Sequence, residues 1–485
     1  MTASRQDPDG QLFPTERNPR LRLIIPMIVA FAFLMEHLDS TIITTAIPRM
    51  SEDLGTTVLR MNLAVTAYVL TLAVFIPVSG WLADRFGARR VFVLALLVFS
   101  ASSTLCGLVH TLPELVAARC MQGLGGAMMT PVGRLILLRS FPRTQLVTAM
   151  LYMSLPALIG PVAGPLLGGF LTSYVSWRWI FYINIPFGVL GSLFALRFIE
   201  EARTEDVARF DFPGFLMVGA GLALLQLGIE NLGRPILGPG MIAAVLAAAL
   251  VLLAGFILHS RVRTSPALDL TLFRFKTFRI GTLAGGLCRI GINGVPFLLP
   301  LMLQIGLGLS PVQSGSLTFS LALGAVAIRP IWTRFLRLLG FDRVLLWSAV
   351  SGSILIAGFA LAGPGMPHWL IAGYIALFGF VRSAQFMSSN TLSYADLPAE
   401  KLSRATSLGG VLQQLSVSFG VSAAALMLEL VKSSGDALTL HDFQKVFPLV
   451  AVIPLLAAAG FLRLTAEDGM AVSGHRRGQQ PPASE

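Results

Sequence analysis

The feature that most constrains this chain is a series of long apolar stretches, each long enough for a helix to cross a lipid bilayer. A hydrocarbon core about 30 Å thick requires about 20 helical residues. We count fourteen such stretches in the 485 residues. Because backbone groups in lipid must be hydrogen-bonded within the chain, they predict an all-α polytopic membrane protein. Their approximate limits are 21–47, 60–82, 90–110, 113–138, 146–172, 178–199, 211–230, 239–259, 278–304, 312–333, 344–364, 368–391, 405–430 and 444–464.

The composition supports a membrane protein and argues against other classes. Apolar residues make up 54% of the chain and charged residues 13%, which is unusual for a soluble domain. A net charge of +11 would suggest nucleic acid as the partner of a soluble chain. Here the basic residues fall mostly in short loops, which favours lipid headgroups and no nucleic acid. Cys106, Cys120 and Cys288 lie in apolar stretches without metal-ligand spacing, so no metal site is predicted.

The distribution of basic residues predicts the orientation of the chain. If the N-terminus is cytoplasmic, only six of the 36 Lys and Arg residues fall in external loops. The positive-inside rule favours this arrangement. An even number of spans then returns the C-terminus to the cytoplasm.

Two similar segments indicate that the chain contains two copies of one unit. IPVSGWLADRFGARRVF (76–92) aligns with RPIWTRFLRLLGFDRVL (329–345) at a constant offset of 253. Each segment follows the second span of a six-span block, as expected for a transporter built from related halves. The predicted organisation is a cytoplasmic tail at 1–20, a six-helix bundle at 21–200, two inserted transmembrane helices at 201–265, a second six-helix bundle at 266–465 and a disordered cytoplasmic tail at 466–485.

The first of these segments contains a charged cytoplasmic loop, GWLADRFGARR. Gly80 and Gly87 are expected to allow close helix approach and a tight turn, and Asp84 lies among basic residues that include Arg85 and Arg90. Such a cluster can hold the cytoplasmic ends of helices together in one state and release them in another. An ordinary basic loop is the alternative. In the second copy Thr333 and Arg337 replace the glycine and the aspartate, which places any gating role in the first half.

A glycine- and proline-rich segment, GPVAGPLLGG, lies in the fifth span. Gly160, Gly164 and Gly168 recur at intervals of four and therefore share one helix face. Small residues at this spacing let two transmembrane helices pack closely, while Pro161 and Pro165 bend the helix.

The first half also places charged groups inside apolar spans. Span 1 carries Glu36 and Asp39, about 60° apart around the helix. Span 4 carries Arg119 and, three residues later, Gln122. Intramembrane charges are costly and usually functional, and two neighbouring, partly desolvated carboxylates resist being ionised together. The pair is therefore a candidate proton-coupling site; the alternative is a structural ion pair with Arg119.

The second half contributes amides and basic residues to its spans. A cavity with acids on one wall and these groups on the other could accept zwitterions or carboxylates as well as cations. The candidate cavity residues are Arg289 and Asn293 in span 9, Arg382 and Gln385 in span 12, and Gln413 and Gln414 in span 13.

Five motifs in a fixed order resemble the major facilitator superfamily: LDSTIITTAIP, GWLADRFGARR, ARCMQGLGGAMMTPVGR, GPVAGPLLGG and WRWIFYINIPFG. The chain is similar to the fourteen-span drug:proton antiporter branch from about residue 21 to 465. This implies a major facilitator fold with two extra central helices, and a role for Asp39 in transport. The other family motifs fall on Gly80, Asp84, Arg85, Gly87 and Arg90; on Arg119, Gln122 and Gly123; and on Gly160, Pro161, Gly164, Pro165, Gly168 and Gly169.

The resemblance implies a proton-coupled secondary transporter that exports small amphiphilic or cationic compounds by alternating access. A proton-coupled exporter of one metabolite, such as an organic acid or metal chelate, is the alternative. No cofactor is expected, since the proton gradient drives transport. The implied location is the inner (cytoplasmic) membrane, with both termini cytoplasmic and a monomer that works alone or alongside an efflux accessory protein. The scattered histidines and the lack of HExxH, GxSxG and Walker motifs argue against an enzyme.

Overall fold

The computed structural model describes residues 20–141, 160, 163–201, 210–232, 238–263, 266–398, 401–432 and 438–473. Its regular elements are helices, and no strand occurs in these residues, which confirms the all-α prediction. The main helices are α1 (Leu21–Ile42), α2 (Asn62–Phe86), α3 (Ala88–Leu108), α4 (Leu112–Ser140), α5 (163–174), α6 (Asn184–Phe198), α7 (Phe212–Asn231), α8 (Pro239–Val262), α9 (Lys276–Leu301), α10 (Pro311–Ala327), α11 (Arg329–Gly358), α12 (His368–Ala395), α13 (Leu402–Val431) and α14 (Leu440–Phe461).

Twelve helices within the described ranges are long and apolar enough to cross a membrane. Helix α4 is long enough at 29 residues but is not among the twelve, because its composition is too polar. Much of the predicted fifth span lies outside the described residues. The count of fourteen spans therefore stays a prediction, while the polytopic helical architecture is confirmed.

Two glycines at equivalent positions of the aligned segments set similar breaks in the helices. Gly87 has φ +95° and separates α2 from α3. Gly340 has φ +78° and interrupts the helical geometry inside α11. Because residues with a Cβ rarely adopt positive φ, glycine is favoured at both positions. The tight turn predicted at Gly87 is therefore present, and its counterpart in the second half repeats it.

The chain divides into two compact units. The first comprises residues 1–268 and 308–319, and the second comprises 269–307 and 320–485. Helices α7 and α8 thus belong to the same unit as α1 to α6. The first part of α10 also groups with this unit, since a Cβ at Gly169 would come within 2.5 Å of the carbonyl oxygen of Pro311.

Helix α7 contacts α2 near both of its ends. Near its start, Trp81 of α2 contacts the ring of Phe212 at 5.6 Å. Near its end, Glu230 accepts hydrogen bonds from Thr66 of α2 and from Gln226. Between these contacts lies an apolar crevice of about 310 Å³ that Thr66, Gln226 and Glu230 line at its polar end.

A polar contact joins α7 to α8 at the N-cap of α7. Asp211 caps the helix by accepting from the amide of Gly214 and contacts His259 of α8 at 2.8 Å. Burial alone would raise the pKa of Asp211, but the bonds from His259 and from the amides of Gly214 and Ala267 lower it below its ordinary value. These hydrogen bonds therefore stabilise the charged form of the Asp211 carboxylate, which joins α7 to α8.

The first residues of the predicted C-terminal tail contain an ion pair and a short helix. Lys276 pairs with Asp468 at 2.7 Å, and Met470–Ser473 form a short helix. Burial would raise the pKa of Asp468, but Lys276 and the Thr465 amide and hydroxyl lower it. Residues 474–485 lie outside the described part, and disorder of the tail stays a prediction.

Candidate transport site

The centre of the first unit contains a buried ion pair. Arg119 donates from Nη1 to Asp39 Oδ2 at 2.6 Å and to Gln122 Oε1 at 2.7 Å. Gln122 Nε2 donates in turn to Asp39 Oδ1 at 2.8 Å. None of the three residues is more than 1% exposed. The structure thus brings together three predicted residues from α1 and α4, in the pairing that the sequence left as an alternative.

Residues from three further helices complete this cluster. Asn184 of α6 donates to Asp39 Oδ1 at 3.2 Å and to Ser103 Oγ of α3 at 3.0 Å. The guanidinium of Arg119 lies 4.2 Å from the ring centroid of Tyr68 in α2, which is a cation–π contact. The sequence analysis missed Asn184, Ser103 and Tyr68. An asparagine inside the apolar segment WRWIFYINIPFG was the available signal for Asn184.

Glu36 lies nearly one turn before Asp39 but has a different environment. Its Oε2 accepts a hydrogen bond of 2.5 Å from Thr130 of α4, another residue that the sequence analysis missed. Among the described residues, no Lys, Arg or His nitrogen lies within 4.0 Å of its carboxylate. The two carboxylates of α1 therefore differ: Asp39 is ion-paired, and Glu36 is bonded to a neutral hydroxyl.

The glycine face of α5 packs against α1. A Cβ at Gly164 would overlap the side chain of Thr41, and one at Gly168 would overlap the carbonyl oxygen of Ile42. Gly160 likewise lies against the backbone of α1, with a built Cβ 2.9 Å from the nitrogen of Leu38. These contacts place the small residues at a close helix–helix approach. Pro161 lies outside the described residues.

The charged loop between α2 and α3 makes ion pairs within the first unit. Asp84 pairs with Arg139 at the end of α4 at 2.6 Å. Arg90 lies 3.3 Å from Glu201, which follows α6, and the guanidinium of Arg85 lies over the ring of Trp81. The ion pairs therefore join α2 to α4, and α3 to the segment that follows α6; the gating role of this loop stays a prediction.

Gly80 does not have the close neighbours that the sequence analysis expected. A Cβ built at Gly80 would meet nothing within 4 Å among the described atoms. Close helix approach at Gly80 therefore stays a prediction, without support from a contact among the described residues.

The predicted cavity residues of the second unit fall into three groups. Arg382 of α12 donates to Asn293 of α9 at 3.4 Å, next to Arg289. Gln385 is fully buried and accepts from Ser348 of α11 at 2.5 Å. It therefore lies inside the unit, and its contribution to a cavity stays a prediction. Gln413 and Gln414 are partly exposed on α13.

A polytopic helical protein with an ion-paired cluster inside one bundle and basic groups inside the other has the features of a secondary transporter. The sequence pattern of the Major Facilitator Superfamily matches residues 29–421, and the chain belongs to this family. It is a multi-pass membrane transporter of small molecules and not an enzyme.

Known proteins similar to this chain cover most of its length. It is 41% identical over 448 residues to MdtD of Cronobacter sakazakii, with 90% of this chain and 93% of that protein covered. MdtD of Salmonella dublin is 39% identical over 459 residues, with coverage of 93% and 97%. The name of both proteins refers to multidrug resistance. A crystal structure of the peptide transporter POT in complex with sulfate has a similar fold, with a TM-score of 0.66, 14% identity and coverage of 90% and 93%.

Proposed function

We propose that this protein is a proton-coupled multidrug efflux transporter, which exports small amphiphilic or cationic compounds by alternating access. Family membership supports the transport mechanism, and the similarity to MdtD supports multidrug efflux. The proton gradient supplies the energy, and the proposal includes no cofactor. The transported compound, protons and the lipid bilayer are the partners.

The observation that carries the proposal is the difference between the two carboxylates of α1. A hydroxyl can donate to a carboxylate and can also accept from a carboxylic acid. The Thr130 hydroxyl can therefore bond Glu36 in either protonation state. Protonating Asp39 would instead remove the negative partner of a buried arginine. Glu36 is thus suited to exchange a proton, while Asp39 is suited to hold α1 against α4.

Competition at Glu36 gives a simple mechanism for antiport. A proton that arrives from outside neutralises the carboxylate and removes its attraction for a cationic or polar compound. Release of the proton inside restores the charge for the next compound. The proton and the compound each favour the conformational state from which the other is released. Their competition for one carboxylate therefore suffices to couple the exchange. Asp39 contributes by changing its pairing with Arg119 between the two states.

The proposed location is the inner membrane, with both termini in the cytoplasm. The small number of basic residues in the predicted external loops supports this orientation. The proposed working form is a monomer, since each chain contains both units. An efflux accessory protein is compatible with this arrangement.

The test is proton flux in liposomes that contain the purified protein and an internal pH reporter. A pH gradient is imposed, and cationic amphiphiles are added to the wild type, Glu36→Gln and Asp39→Asn. We expect compound-dependent flux in the wild type and none in Glu36→Gln. Glu230→Gln serves as the matched control, because it removes another buried carboxylate of the same unit.

The control variant should retain the flux of the wild type. Flux that persists in Glu36→Gln and disappears in correctly folded Asp39→Asn would transfer the proton-carrying role to Asp39. If no compound in a broad panel moves protons through the wild type, the antiport proposal is wrong.

A further inference from the structure

Two arginine side chains lie where helices α9 and α12 of the second unit pack against each other. Arg382 donates to Asn293, and the guanidinium of Arg289 lies 5.8 Å from the ring centroid of Phe386. Arg289 and Asn293 are four residues apart on α9, and Arg382 and Phe386 are four residues apart on α12. The two helices therefore run antiparallel here, and their arginines are offset along the contact by about one helical turn. We call these four residues the α9–α12 stripe.

The stripe contains positive charge without a protein counter-charge. Arg289 is 5% exposed, and its guanidinium donates to the backbone carbonyls of Gly285 and Gly281. Within the described ranges, no carboxylate oxygen lies within 4.0 Å of Arg289 or Arg382. In the first unit, by contrast, the buried Arg119 is neutralised by Asp39. Neutral carbonyl and amide oxygens compensate only part of the cost of a charge in a membrane span.

One side of the α9–α12 stripe is not covered by the rest of the second unit. Arg382 and Asn293 are partly exposed, and Phe386 is 38% exposed. An arginine in the middle of a span does not face lipid without a large cost, so its open side belongs to a path that admits water or a polar ligand. Guanidinium groups bind carboxylates with a geometry that permits two parallel hydrogen bonds. An aromatic ring beside them offers a surface for an apolar group.

We propose that the α9–α12 stripe binds a carboxylate of the transported compound, with the apolar part of that compound against Phe386. This rests on the proposed function only in treating the ligand as a transported compound. It adds amphiphiles that carry a carboxylate, either as anions or as zwitterions, to the compounds that this protein transports. The compound supplies the negative charge that the second unit lacks at this point.

The test measures binding to the purified protein in neutral detergent, without a proton gradient. The probes are 1-naphthoate and 1-naphthamide, which share size and shape but differ in charge. We expect the wild type to bind the acid at least about tenfold more tightly than the amide, as expected for a buried charge pair. Arg382→Gln and Arg289→Gln should each abolish this preference. Arg382→Lys should keep part of it, since it retains the charge without the paired donors.

Arg329→Gln is the matched control, because Arg329 lies at the exposed start of α11 outside the stripe; it should bind both probes as the wild type does. Equal affinities of the wild type for acid and amide, or no binding of the acid at millimolar concentration, overturn the proposal. A preference that survives in both glutamine variants also overturns it. So does loss of naphthoate binding on addition of phosphatidylglycerol, because the guanidiniums would then hold lipid phosphate. Because binding needs no gradient, intact naphthoate binding without compound-driven proton flux would refute the antiport proposal alone.

Discussion

The buried pair between Asp39 and Arg119 permits a quantitative test of what stabilises the first unit. Arg119→Gln would leave the Asp39 carboxylate almost completely buried, with only amide donors from Gln122 and Asn184. Removal of one partner of a buried ion pair costs about 3–5 kcal/mol. At about 2 °C per kcal/mol for a unit of this size, the melting temperature should fall by about 6–10 °C. The melting temperature of Asp39→Asn should fall by a similar amount, because this variant leaves the Arg119 guanidinium buried and unpaired.

The double variant, Asp39→Asn with Arg119→Gln, should lose much less than the sum of the two single variants, because no uncompensated charge stays buried. The measurement is thermal unfolding of the four proteins in detergent, followed by tryptophan fluorescence. The expected coupling is at least about 2 kcal/mol. Arg49→Gln breaks an exposed pair with Glu52 and should leave the melting temperature unchanged. The buried ion pair would be refuted as a stabilising contact by either of two results. One is an additive loss of stability in the double variant, and the other is single variants with the melting temperature of the wild type.

Three further predictions concern other parts of the chain. Gly168→Val should lower the yield and melting temperature of folded protein, because its Cβ overlaps backbone of α1, whereas Gly80→Val should leave both unchanged in size-exclusion and melting assays. Asp468→Asn should lower the melting temperature near pH 6. The folded-state pKa of Asp468 lies below its ordinary value of 3.8. The difference in melting temperature between wild type and variant should therefore be complete above about pH 5 and disappear as pH falls through the folded pKa. Asp211→Ala should destabilise the first unit by about 1 kcal/mol, through loss of the α7 cap and the His259 contact, and equal melting curves would contradict it.

Part of the site could be predicted from the sequence, because a buried charged group has few possible partners. A carboxylate and an arginine inside apolar spans each incur a high cost alone, so their pairing was one of two explicit expectations. The three-residue spacing of Arg119 and Gln122 placed both on one side of α4. Likewise the glycine spacing in span 5 predicted a close helix approach, which the contacts of Gly164 and Gly168 with α1 show.

Other features depended on tertiary contacts that no local pattern contains. Asn184 and Ser103 join Asp39 only because α3 and α6 pack beside α1. Thr130 reaches Glu36 across the α1–α4 contact. Conversely, Gln385 has the polarity of a cavity residue but turns towards Ser348. Local polarity indicates that a partner is needed, whereas the packing of helices decides which partner is available.

The attachment of α7 to α2 near both ends makes α8 a suitable place for experimental labels. Only 11% of the residues in the membrane-spanning part of α8 are buried, and its outward face carries Leu250 and Leu258. Glu230 joins α7 to α2, and Asp211 joins α7 to α8. A spectroscopic probe on this face would therefore follow the first unit as a whole without touching Glu36 or the Asp39 cluster. Helices α7 and α8 thus provide a labelling position from which the movement of the first unit can be measured.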